Sequence, residues 1–281
     1  MGAPTARFVR TRTRDDVVLH GALVDTGGTD GVLAVHGAWG NFYKTPVHDL
    51  LEPAARRGWS AASLNTRGHD LGTLGDGEPC IGFMRDLFEQ APIDLDAAAG
   101  VLRDAGVARI LVVAHSYGSH KVAYWMADER PADVRGLAMV SPAPLLDDGA
   151  RWFVEGALEH HIARAAAAVA AGEPHRLIVL SSSAPVPVVA EAATVLSTWR
   201  PGTNADTMRW AHAIDVPVLV TVGGREPSPY RRRAEEIAAA LPDAELVVVD
   251  DDHYYGRTRP ELAATVLDWA ERRAVLGPPT T

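Results

Sequence analysis

The sequence is poor in cysteine, in lysine and in long apolar runs. Cys80 is the single cysteine among 281 residues, which excludes an intrachain disulfide and a cysteine-based metal cluster. Lysine occurs only as Lys44 and Lys121, and the formal net charge is −9. Proteins that bind the phosphate backbone need a basic surface, so the sequence predicts no nucleic-acid partner.

No apolar run reaches the length that crosses a membrane, and residues 1–14 alternate arginines with small residues instead of forming the apolar centre of a signal peptide. We therefore expect a cytoplasmic protein with no membrane partner. Hydrophobic residues make up 47% of the chain, enough for a sizeable core. No feature of the sequence indicates an oligomeric state, and a homodimer is left open.

Short β-rich runs alternate with helical segments from about residue 31 onward. This alternation predicts an α/β fold in which a mostly parallel, twisted sheet is flanked by helices. Two earlier runs, residues 7–13 and 17–24, predict a pair of antiparallel strands at the N-terminal end.

The alternation fails between residues 142 and 214. An alanine-rich helical stretch covers residues 152–171, and a second covers residues 187–198, with little strand pattern between them. The sequence thus predicts a core domain made of residues 1–142 and 213–281. It predicts residues 143–212 as a helical cap inserted into that domain.

One buried strand ends in the pentapeptide Ala114-His115-Ser116-Tyr117-Gly118, after which helical periodicity begins at once. Such a strand, sharp turn and helix present a serine as a nucleophile, and the usual pattern is Gly-x-Ser-x-Gly. Ala114 departs from that pattern by one methyl group. The flanking strand and helix favour Ser116 as a nucleophile over a serine that merely caps a helix.

A serine nucleophile needs a general base and a carboxylate that orients the base. Eleven histidines compete for the first role, and His253 follows the last predicted strand. For the carboxylate, Glu226 follows the predicted strand 216–222. Asp147 or Asp148, just past the predicted strand 136–140, is the alternative.

Five motifs follow one another in a recognisable order: the His36-Gly37 loop, the turn at residues 65–69 (Asn-Thr-Arg-Gly-His), the serine turn, an acid and a histidine. Over about residues 31–272 the chain resembles a serine hydrolase of the α/β-hydrolase superfamily. Residues 83–140 are also similar to a bacterial esterase group related to fungal siderophore esterases.

The resemblance implies hydrolysis of an ester, thioester or amide without a metal or organic cofactor. We expect an ester or thioester, less readily an amide, of a small acyl substrate, and the tryptophans named below suggest that it is apolar. It implies Ser116 as nucleophile and His253 as base, with Glu226 preferred over the two aspartates as the acid. The backbone N–H groups of Ala38 and Tyr117 would form the oxyanion hole.

Trp39, Trp152 and Trp199 are the candidates for substrate binding, although packing of the cap onto the sheet explains the latter two equally well. Arg67 and His69 fit a structural turn better than a substrate entrance. Because one fold hosts many activities, two other functions stay open. One is an acyltransferase, cyclase or lyase of small-molecule biosynthesis, and the other is a non-catalytic ligand-binding protein.

Overall fold

A computed structural model describes residues 4–74, 80–146, 158–180 and 188–278. The strands in these ranges, in chain order, are β1 Arg7–Arg12, β2 Val18–Val24, β3 Asp30–Val35, β4 Ser60–Leu64, β5 Thr73–Leu74, β6 Cys80–Ile81, β7 Arg109–His115, β8 Val134–Val140, β9 Leu177–Leu180, β10 Val188–Glu191, β11 Val218–Gly223 and β12 Ala244–Val249.

The α-helices are α1 Leu51–Arg56, α2 Ala91–Asp104, α3 Tyr117–Glu129, α4 Leu158–Ala170, α5 Ala192–Trp199, α6 Ser228–Ala240 and α7 Arg259–Arg272. Short 3₁₀ helices lie at Pro46–Leu50, Phe83–Arg85, Phe88–Gln90, Thr207–Arg209 and Ala211–Ala213. No helix within the described ranges has both the length and the apolarity needed to cross a membrane.

Eight of the described strands form the main sheet, in the spatial order β1-β2-β4-β3-β7-β8-β11-β12. The β1–β2 and β2–β4 pairs are antiparallel, whereas the pairs from β4 through to β12 are parallel. The N-terminal antiparallel pair and the mostly parallel sheet are thus as the sequence predicts. The carboxyl ends of the parallel strands all reach one edge, where ligands bind in open α/β sheets.

Helices cover both faces of this sheet. Successive side chains of a strand point to opposite faces, so Leu33 packs into one apolar cluster while Val32 packs into the other. The first cluster includes Trp125 of α3, and the second includes Trp269 of α7. Burial on both sides explains why the centres of β3 and β7 read as continuous apolar runs.

The segment between β8 and β11 contains more than helices. The helix α4 lies within the first predicted helical stretch and α5 overlaps the second, but β9 and β10 pair as a small antiparallel sheet. The prediction that residues 188–191 are helical is therefore wrong. Residues 177–180 are apolar with two β-branched residues at the centre and alternate in burial, which stabilises a strand there, and residues 188–191 pair with it.

The boundaries of the cap at residues 143 and 212 stay a prediction. Residues 147–157 and 181–187 of the predicted cap lie outside the described part of the chain.

Candidate functional site

The turn between β7 and α3 holds Ser116 in an unusual backbone conformation, with φ 55° and ψ −121°. Such a conformation is rare for a residue with a side chain and is found where the surrounding structure enforces it. The neighbouring chain is close: a Cβ added at Gly118 would lie 2.4 Å from the carbonyl oxygen of His36, and one at Gly37 would lie 2.9 Å from the Ser116 Cβ. The turn therefore requires glycine at both positions.

Ala114 stands where the usual pattern has glycine, and it is fully buried in the core. Its carbonyl oxygen accepts a hydrogen bond of 2.9 Å from the Ser119 hydroxyl, inside the same turn. The extra methyl group is accommodated by core packing.

The side chains of Ser116, His253 and Glu226 form a hydrogen-bonded chain. His253 Nε2 lies 3.1 Å from Ser116 Oγ, and His253 Nδ1 lies 2.6 Å from Glu226 Oε1. A carboxylate only accepts hydrogen bonds, so Nδ1 carries the proton and Nε2 is free to accept the serine hydroxyl. The structure thus brings together the three side chains that the sequence singled out, from the loops after β7, β11 and β12.

Three donors hold the Glu226 carboxylate, whose side chain is fully buried. Besides His253, the backbone N–H of Gly223 donates to Oε2 at 2.6 Å, and the Ser141 hydroxyl donates to the same oxygen at 2.7 Å. The hydroxyl of Tyr255 in turn lies 2.7 Å from Ser141 Oγ, and burial raises the pKa of Tyr255. This network fixes the carboxylate. No sequence pattern indicated Ser141 or Tyr255.

His115 supports the loop that carries His253. Its Nε2 donates a hydrogen bond of 2.9 Å to the His253 carbonyl oxygen, and the two rings lie 4.6 Å apart between centroids. Burial, together with the nearby His253, holds the pKa of His115 well below its usual value. His115 is therefore neutral and contacts the backbone of the loop rather than the serine hydroxyl.

The loop after β3 brings a second set of groups to Ser116. His36 Nδ1 donates to the Gly37 carbonyl oxygen at 2.8 Å, and its Nε2 accepts the backbone N–H of Thr66 at 3.0 Å. Burial lowers the pKa of His36 to about 3, so the ring is neutral. Among the described residues, no acceptor engages the N–H of Ala38 in this loop or that of Tyr117 in the first turn of α3.

A cavity opens beside Ser116, with about 340 Å³ of empty space when the adjoining open solvent is included, and its lining is almost wholly apolar. The lining residues are Ala38, Trp39, Phe83, Ser116, Tyr117, Ala143, Leu145, Val188 and Trp199. The ring of Phe83 makes edge contacts with those of Trp39 and Trp199, at centroid distances of 5.4 and 6.5 Å.

A comparison with protein families matches residues 32–266 to the alpha/beta hydrolase family. The chain belongs to this family. Among solved structures it is similar to Est1E from Butyrivibrio proteoclasticus with ferulic acid bound, at a TM-score of 0.74 and 15% identity, covering 95% of this chain and 100% of that chain.

Two further α/β-hydrolase structures extend the comparison. The esterase Pf2001 from Pyrococcus furiosus has a TM-score of 0.62 and 17% identity, covering 96% of this chain and 91% of its own. The hydrolase GrgF from Penicillium sp. sh18 has a TM-score of 0.70 and 14% identity, covering 97% and 100%. At these identities the likeness shows the shared fold. No curated protein matches the chain.

The predicted tryptophans of this α/β hydrolase fall into two groups. Trp39 and Trp199 line the cavity, whereas Trp152 lies outside the described residues. The same holds for Asp147 and Asp148, so the rival acids are not placed.

Arg67 lies away from the cavity lining and is structural. Its guanidinium binds the buried Asp94 and, at 2.7 Å, Asp15 near the start of β2. The hydrogen bond from Arg67 lowers the pKa of Asp15 to about 2, against a smaller opposing effect of burial. His69 contacts Asp70 at 2.7 Å in the same turn. The structural interpretation of this turn therefore accounts for both residues.

Within the described ranges, no cluster of three or more histidine, cysteine or acidic side chains is arranged to hold a metal ion.

Proposed function

We propose that this chain is a serine hydrolase that cleaves an ester or thioester of a small apolar acyl group through an acyl-enzyme. The hydrogen-bonded chain from Ser116 through His253 to Glu226 is the observation that carries the proposal. Ser116 Oγ attacks the substrate carbonyl carbon while His253 Nε2 takes the hydroxyl proton. The protonated ring then gives that proton to the leaving oxygen or sulfur. Water repeats the sequence in the second step and releases the acid.

Glu226 stabilises the imidazolium that forms in each step. Its carboxylate is held by donors from Gly223 and Ser141, so it need not reorganise as the ring becomes charged. The tetrahedral intermediate places a negative charge on the former carbonyl oxygen. The N–H groups of Ala38 and Tyr117 are the donors we assign to it, and loss of one such donor typically costs ~100-fold or more in kcat.

The cavity supports a compact apolar acyl group. Trp39, Phe83, Tyr117 and Trp199 surround it with aromatic rings, which bind flat apolar groups well. Est1E, which shares the fold, is described with ferulic acid bound, and that is an aromatic acid. Aryl and short alkyl esters are accordingly the first substrates to test.

The test is labelling by a fluorophosphonate probe, read by intact mass, beside hydrolysis of p-nitrophenyl esters of increasing acyl length. The wild-type protein should gain one adduct and cleave the short esters, and Ser116→Ala should do neither. Ser228→Ala removes an exposed serine at the start of α6 and should behave as the wild type.

Two other results would point elsewhere. Labelling together with a product formed from an added alcohol or amine in preference to water would favour an acyltransferase or cyclase. No labelling of the folded wild-type protein would overturn the hydrolase proposal and favour a ligand-binding protein on this fold.

A further inference from the structure

A buried ion pair lies beneath the candidate site and has no part in the proposed chemistry. Lys121 stands one turn after Tyr117 in α3, and its Nζ lies 2.6 Å from Asp86 Oδ2, with the two side chains 3% and 2% exposed. Burying both charges costs desolvation energy, and apolar residues of similar volume often stabilise a fold equally well. Packing alone therefore does not account for the pair.

The pair is connected to the loop that carries Ala38. Lys121 Nζ donates to Thr66 Oγ1 at 3.4 Å, and Thr66 Oγ1 lies 3.2 Å from His36 Nε2. His36 Nδ1 donates to the Gly37 carbonyl oxygen, so Nε2 is an acceptor, and its one lone pair is shared between the backbone N–H of Thr66 at 3.0 Å and the Thr66 hydroxyl. A directed chain of hydrogen bonds thus runs from α3 to the peptide that precedes Ala38.

The other end of the pair reaches two further parts of the site. Asp86 directly follows the 3₁₀ helix Phe83–Arg85, and Phe83 lines the cavity. The carboxylate also lies against the backbone of Gly68, where an added Cβ would stand 2.4 Å from Asp86 Cγ. The pair therefore joins α3 to the cavity wall and to the turn at residues 65–69.

We propose that Lys121 and Asp86 are positioning residues that hold the Ala38 loop in register with the first turn of α3. The proposal rests on the hydrolase function proposed above. Ala38 and Tyr117 belong to different elements, yet both N–H groups must lie about 2.7–3.1 Å from one developing oxyanion. Lys121 links those elements through Thr66 and so sets the spacing between the two donors.

Two variants distinguish the hydrogen-bonded link through Thr66 from the buried charges of Lys121 and Asp86. Lys121→Met/Asp86→Leu removes both charges together and leaves no unpaired buried ion, while Thr66→Val keeps the shape of the side chain and removes its hydroxyl. Thr66→Ser, which keeps the hydroxyl, should restore most of the activity lost in the valine variant. Lys44→Met replaces the other, exposed lysine and should match the wild type.

The readout compares ester turnover with binding of a short alkyl trifluoromethyl ketone. Ser116 adds to this ketone: an O–C bond forms, the carbonyl π pair becomes an oxyanion, and the hydroxyl proton passes to His253. We expect kcat and ketone affinity to fall together by ~10- to 100-fold in the double and valine variants. KM should stay within about twofold, because the bound ester has not yet formed an oxyanion.

A double or valine variant that keeps its kcat and ketone affinity overturns the proposal, even if its thermal midpoint falls. A rise in KM that accounts for the whole loss also overturns it, since the pair would then shape the cavity and not the oxyanion donors. Failure of the hydrolase proposal itself is visible separately, as a wild-type protein that no fluorophosphonate labels.

Discussion

Replacing Glu226 by glutamine exchanges one carboxylate oxygen for an NH₂ group. The hydrogen bonds of the two oxygens determine which of them is exchanged. Among the described residues, oxygen at the Oε2 position accepts from both Gly223 N–H and the Ser141 hydroxyl, whereas oxygen at the Oε1 position accepts only from His253. A glutamine amide therefore keeps its oxygen toward Gly223 and Ser141 and turns its NH₂ toward His253. The alternative leaves the Gly223 N–H buried against another donor, which costs about 1–3 kcal/mol.

An NH₂ group facing His253 Nδ1 forces the imidazole into the other tautomer, with the proton on Nε2. Nε2 then has no lone pair for the Ser116 hydroxyl, so the proton transfer that begins the reaction is blocked. In serine proteases the corresponding Asp-to-Asn change lowers kcat by about 10⁴. The same tautomer change predicts a loss of about 10⁴ in kcat here, equivalent to about 5.5 kcal/mol.

The assay is steady-state hydrolysis of a short p-nitrophenyl ester, with thermal melting as the check on folding. Glu226→Asp keeps an acceptor on a shorter arm and should retain more activity than Glu226→Gln. Asp147→Asn and Asp148→Asn test the rival acids and should leave kcat within about threefold of the wild type. A Glu226→Gln protein with more than a tenth of the wild-type kcat, or a loss that follows one of the aspartates instead, would refute the reasoning.

Three further outcomes are expected. Gly118→Ala places a Cβ 2.4 Å from the His36 carbonyl and should lower stability by about 1–3 kcal/mol and kcat at least tenfold. Its control, Gly100→Ala in α2, meets no atom within 4 Å and should raise the thermal midpoint slightly. The pKa of Asp15 is lowered to about 2, so its ion pair stabilises the fold fully above about pH 4 and is lost as the pH falls toward 2. Asp15→Asn should thus lower the midpoint by about 2–4 °C at pH 5 and by progressively less as the pH falls through 2 in a pH series of melts. Trp199→Phe enlarges the cavity and should shift the p-nitrophenyl ester preference toward longer acyl groups, and an unchanged preference would contradict this lining.

Local sequence patterns were sufficient to predict the strands and turns that carry the proposed catalytic residues. β7 is an apolar run followed by a serine that has small residues two positions before and two positions after it, and β11 is followed within a few residues by Glu226. Buried parallel strands and the turns after them leave this kind of pattern in the sequence. The order of the strands then brings their carboxyl ends together.

The cavity wall could not be predicted in the same way. Phe83 and Val188 meet there although they lie far apart in the chain, and neither belongs to a long periodic segment. β9 and β10 are four residues each, too short for alternation to compete with the helical composition around them. Such contacts depend on tertiary packing.

β12 is the outermost strand of the parallel half of the sheet, and its position affects how the protein loses activity on unfolding. Within the described residues it pairs only with β11, its side chains are mostly half-exposed, and the loop after it carries His253. Edge strands with little cover open at a lower free-energy cost than the centre of a sheet. Mild denaturant should therefore abolish ester turnover while the circular dichroism of the protein is still unchanged. Loss of turnover would then report local opening of β12 before the whole fold unfolds.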